Sequence, residues 1–120
     1  MRLSGAVLAV SICLPAAAAA GEAVIEKVEL TRSGAGYRAD VTVRHADSGW
    51  DHYADRWQVM TGEGTVLGER VLLHPHETEQ PFTRSLSGIE IPADVSEVFV
   101  RAHDSVHGDG PRFGPVKVPK

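Results

Sequence analysis

The stretch "LLHPHETEQPF" sets His74 and His76 on either side of Pro75. In an extended segment residues i and i+2 point the same way, about 6.6 Å apart at a rise of ~3.3 Å per residue. Pro75 biases His74 toward an extended backbone. Two imidazoles so placed can converge on one ion, and imidazole with carboxylate suits Zn²⁺, Cu²⁺ or Ni²⁺. The chain has six histidines. The expected ligand set is His74 and His76 as the central pair, with His103, His107 and His52 next. Asp51 and Asp104, with His45 beside them, are expected as outer partners that orient the imidazoles. Cu⁺ fits poorly, because the soft ligands amount to Cys13 and two methionines, of which only Met60 lies beyond the N-terminal leader.

Other readings of the same residues compete with this one. A single exposed histidine usually faces solvent, and His45 continues a core phase that it could simply cap through a loop carbonyl. In "GWDHYAD", Trp50 and Tyr53 are loop aromatics that can stack on a sugar ring or anchor a protein interface. The small size of the domain favours instead a Trp50 folded back as a lid on the core. Ser105, Asp104 and a neighbouring histidine can be drawn as a triad. The segment "AHDSVHG" nonetheless lacks the strained strand-to-helix elbow that exposes a serine nucleophile. No catalytic constellation stands out, so a non-catalytic binding protein is expected.

These residues sit at the ends of extended stretches. In "YRADVTVRH", Tyr37, Ala39, Val41 and Val43 alternate with Arg38, Asp40, Thr42 and Arg44, the pattern of a strand with one buried face. Similar stretches begin near Ala23, Arg56, Thr65, Phe82 and Ser96, and "PVKVP" closes the chain. A bulge is expected near Gly88. About seven short strands separated by turns predict an all-β, antiparallel immunoglobulin- or fibronectin-like sandwich. Trp57, on the third strand, stands where such folds bury a tryptophan. In that topology all six histidines fall at one pole, among Asp47, Asp51, Asp55, Glu77, Glu79, Asp104 and Asp109. Loops at one end of a sandwich are a usual place for binding.

The first twenty residues, "MRLSGAVLAVSICLPAAAAA", carry a positive Arg2, an apolar run at 6–14 and an A-x-A site at Ala18-Ala19-Ala20. This is the pattern of a cleaved secretory signal peptide at 1–20 ahead of one domain at 21–120. Ile12 stands where lipidation at Cys13 would want a small residue. Beyond the leader no apolar run is long enough to span a bilayer. Taking Arg2 from the 12 basic residues leaves 11 against 16 acidic ones, a net charge of −5. Such a surface disfavours nucleic acid and anionic lipid. The expected compartment is periplasmic or extracellular, and the expected partner a divalent metal or an extracellular protein or glycan.

The run "IEIPADVSEVFVRA" resembles the region between the fifth and sixth strands of immunoglobulin-like modules. It lacks their cysteine pair and their corner tyrosine. The chain also resembles small exported bacterial proteins of unassigned activity in "GWDHYAD", "HPHETEQPFTRSLSG" and "DSVHG". That likeness implies export and carries no chemistry.

Overall fold

The computed structural model describes residues 21–120. The leader at 1–20, with Cys13, lies outside the described residues. Eight strands follow one another: β1 (Val24–Ser33), β2 (Gly36–Arg44), β3 (Ala54–Met60), β4 (Val66–Val71), β5 (Phe82–Ile89), β6 (Glu97–Asp104), β7 (Gly108–Asp109) and β8 (Phe113–Lys117). They form two antiparallel sheets, ordered β1-β2-β5 and β4-β3-β6, with β7 and β8 both on the free edge of β6. Counted together, β7 and β8 are one interrupted edge strand. β4 pairs with β3 rather than joining the β1-β2-β5 sheet. The partition is therefore three and four, not the four and three of an antibody constant domain. Among the described residues no helix is long and apolar enough to cross a membrane.

The core lies between the sheets and is built by alternation. Tyr37, Ala39, Val41 and Val43 face inward from β2, and Val98, Val100 and Ala102 from β6. Trp57 and Val59 of β3 and Phe82 and Ile89 of β5 complete it, with Trp57 and Phe82 almost wholly buried. Each buried Val, Ile or Phe side chain among them contributes roughly 1.5–3 kcal/mol of burial, and the described residues contain no disulfide to help. The outward residues are polar and pair across strands. Thr42 and Thr83 hydroxyls meet at 2.8 Å, and the Ser85 hydroxyl of β5 donates to Asp40 Oδ1 of β2 at 2.6 Å.

Two backbone features shape the ends. Tyr37 pairs with Ile89 while Ala39 pairs with Leu86, so β5 carries one extra residue around Gly88. Gly88 adopts φ +72°, a conformation that glycine takes without steric cost. At the other end, a Cβ on Gly110 would lie 2.1 Å from the Ala23 carbonyl oxygen. Only glycine lets the start of the described chain pass there. Gly110 N–H meanwhile donates to Ala102 O at 2.8 Å, which fixes it beside β6.

Candidate metal centre

The alternation that builds the core also delivers the chemistry. The inward series of β2 ends one residue past the strand at His45, and that of β6 ends at Asp104. The two strands belong to opposite sheets, so an imidazole and a carboxylate close the same end of the core from both sides. Both side chains are fully buried. His45 Nε2 lies 3.1 Å from Asp104 Oδ2.

Asp47 organises the loop that follows. Its Oδ1 accepts from His45 Nδ1 at 2.5 Å and from the Ala54 amide at 3.1 Å, and its Oδ2 accepts from the His76 amide at 2.6 Å. A carboxylate on Nδ1 fixes the His45 ring and turns its Nε2 toward Asp104. Gln80 braces the same loop, accepting from the His45 amide at 2.9 Å and donating to His76 O at 2.8 Å.

Asp104 is held equally firmly. Its Oδ1 accepts from the Val106 and His107 amides at 2.7 and 2.6 Å. Its Oδ2 is met by three imidazole nitrogens: His107 Nδ1 at 3.0 Å, His45 Nε2 at 3.1 Å and His52 Nε2 at 3.4 Å. His52 Nε2 and His107 Nδ1 are themselves 3.2 Å apart. Burial alone would push the Asp104 carboxyl up. The His107 and Val106 amides, then the His107 and His52 rings, outweigh it and hold Asp104 well below the usual carboxylate range.

These separations have a chemical meaning. Four donors about 2.0–2.1 Å from a tetrahedral zinc ion stand about 3.3 Å from one another. The Asp104, His52 and His107 atoms form a triangle with edges of 3.0, 3.2 and 3.4 Å. The ligand atoms of His45, His52 and Asp104 all lie within 4.8 Å of one another. An Nδ1–H given to Asp47 would leave His45 Nε2 as an acceptor facing Asp104 Oδ2 and, at 2.9 Å, the Gly21 carbonyl oxygen. Acceptors meeting acceptors need a proton or a cation between them. The floor of the cluster is sealed, while the His52 and His107 side chains are 25% and 37% exposed, which leaves an ion a way in.

The other histidines lie around this centre. His74 and His76 do come together, with ring centroids 4.6 Å apart and planes tilted 37°. The buried His76 ring stacks on Phe82 at 3.9 Å and 11°. His76 thus makes contact through its faces, whereas ligating lone pairs lie in the ring plane. Among the described residues neither His76 nitrogen has a hydrogen-bond partner. Burial, then Arg84 and His74, lower its pKa against the opposite pull of Asp47 and Glu79. His74 is exposed and its Nδ1 meets the Pro75 carbonyl at 3.1 Å. His103 is on the outer face of β6, where its Nδ1 meets Asp55 Oδ1 at 2.6 Å.

Asp51 is exposed, and its backbone carbonyl accepts from the Ser105 hydroxyl at 3.4 Å. The Ser105 oxygen also accepts from the Tyr53 amide at 3.1 Å, which ties one loop to the other. Asp47, not Asp51, is the carboxylate that orients a ring of the cluster. Trp50 is not a lid on the core. It is 65% exposed and stands edge-on to Tyr53 at 5.5 Å, beside a shallow recess lined by Gly49, Pro75, Glu77 and Thr78.

No protein-family model matches the chain, and no solved structure matches it. A protein of Halomicrobium mukohataei that bears the provisional name of a lipoprotein is 51% identical over 86 residues. The match covers 69% of this chain and 42% of that protein, so the chain spans less than half the length of its relative.

Proposed function

We propose that this is an exported, non-catalytic binding domain that holds one divalent transition metal ion at the pole of its sandwich. Asp104, His52, His107 and His45 are the ligands, and Asp47 is the carboxylate that orients His45. The observation that carries the reading is the gathering of three imidazole nitrogens on one oxygen of a buried carboxylate at 3.0–3.4 Å. Nitrogen-rich donors with one carboxylate favour Zn²⁺, Cu²⁺ or Ni²⁺ over Ca²⁺ or Mg²⁺. Export is supported by the leader pattern and by the lipoprotein name of the relative.

The test is titration calorimetry of metal-stripped protein with each of these ions. One-to-one binding tighter than about micromolar near pH 7.5, lost near pH 5.5, is expected, because imidazole must be neutral to ligate. His52→Ala with His107→Ala should abolish it. His74→Ala should leave it unchanged. Weak, non-stoichiometric heats from all three ions would sink the reading.

A second reading rests on Trp50. An exposed indole braced by Tyr53 beside a recess is an anchor for a sugar ring or a protein partner. Trp50→Ala would then remove partner capture and leave metal binding untouched.

A further inference from the structure

The start of the described chain lies on the cluster. The Gly21 carbonyl oxygen is 2.9 Å from His45 Nε2, on the nitrogen that also faces Asp104. The α-carbon of Gly21 presses on the second wall. A Cβ there would sit 2.7 Å from His107 Cε1 and 3.2 Å from its Nε2. Gly21 is thus wedged between two of the candidate ligand side chains, and any larger residue would displace His107. The close pass of Ala23 over Gly110 holds the segment in that place. The sequence puts leader cleavage after Ala20, which makes Gly21 the first residue of the mature chain.

Cleavage changes what Gly21 can do. Water adds across the Ala20–Gly21 peptide bond, leaving a carboxylate on Ala20 and a primary amine on Gly21. An amide nitrogen is a poor ligand at neutral pH, whereas a neutral amine is a good one. The amine and the carbonyl oxygen of one residue close a five-membered ring on a single cation. We propose that leader removal completes the metal site: the Gly21 α-amine, with its carbonyl oxygen, joins the His45, His52, His107 and Asp104 side chains as a ligand. This rests on the metal reading above and adds a mode of control. The precursor holds the ion weakly, and the exported, processed chain holds it tightly. The amine binds in its neutral form and gives its proton to solvent.

Three forms test this: the chain beginning at Gly21, the same chain acetylated on the Gly21 nitrogen, and a chain that retains Ala20. Each is stripped of metal and titrated with Cu²⁺ and Zn²⁺ near pH 7.5, above the ordinary imidazole pKa of about 6.5. The free-amine form is expected to bind one ion at least about tenfold tighter than either blocked form, the loss that even an outer partner of a metal ligand can cause. Unfolding midpoints without metal should agree between the free and acetylated forms, which differ by no residue. Equal affinity in all three would overturn the amine ligand and leave the side-chain site standing. Absence of binding in all three would overturn both. Intact mass of the exported protein supplies the second check. A start at Gly21 is expected, and a start elsewhere, or a lipid on Cys13, overturns the proposal.

Discussion

Asp104 and His76 are both buried at the pole, and they respond to acid in different windows. Asp104 is depressed in the folded state, so its contribution is complete above the ordinary carboxylate value of about 3.9 and is lost as pH falls through the lower folded value. It is therefore constant from neutrality down to about pH 4. His76 is depressed too, but it is a base. The unfolded chain takes up a proton below about pH 6.5 that the folded chain resists, so stability is full above that value and declines beneath it. His76→Leu should flatten the unfolding free energy just below about pH 6.5, by at most about 1.4 kcal/mol per pH unit, the slope of one proton. Denaturant unfolding at a series of pH values reads this. An unchanged slope would show that His76 protonates freely when folded. Asp104→Ala strands two part-buried amides and takes the shared acceptor from three imidazole nitrogens, and should cost about 1–3 kcal/mol without metal. Asp104→Asn keeps the amide acceptor and is expected to lose metal affinity with a much smaller fall in stability.

At the scale of elements, the strands were readable because burial on one face imposes a period of two. That period put Tyr37, Ala39, Val41 and Val43 in the core, while a glycine inside a strand pattern marked the bulge at Gly88. The pole was readable for the same reason, since the histidines end strands that run the same way. The candidate ligand set was harder to read. The inward phases of β2 and β6 already contain His45 and Asp104, yet a carboxylate in core phase reads as an edge residue until its partners are known. The spacing of His74 and His76 signals convergence, but it holds no record that Phe82 would take the His76 ring face-on. Gly21 gave no signal at all, because contacts between a chain end and a remote loop leave no local pattern. Gly110→Ala tests how much this end depends on one close approach. A methyl group would have to share space with the Ala23 carbonyl, so β1 must shift or the segment ahead of it must lift. A stability loss and faster hydrogen exchange in residues 21–25 are expected, with the β3-β6 pairing unaffected. Unchanged exchange at 21–25 would mean that the segment is held elsewhere.

For the whole molecule, a net charge of −4 and a three-and-four sandwich describe an acidic scaffold with one end rich in histidine and carboxylate. Metal that binds only the folded state should raise its stability by about 2.7 kcal/mol at a free concentration one hundred times the dissociation constant. Thermal scans with and without a chelator measure this, and an unmoved midpoint at saturation would contradict the site. The Asp104 carboxylate also gathers distant parts of the chain. His45 is 59 positions from it in sequence and His52 is 52. The entropic cost of closing so long a loop rises only with the logarithm of its length. A tie at Asp104 therefore restrains nearly half the polypeptide from one point, as a covalent staple would, among described residues that include no cysteine to form one. Opening of the pole should therefore be a step of unfolding that a bound ion slows.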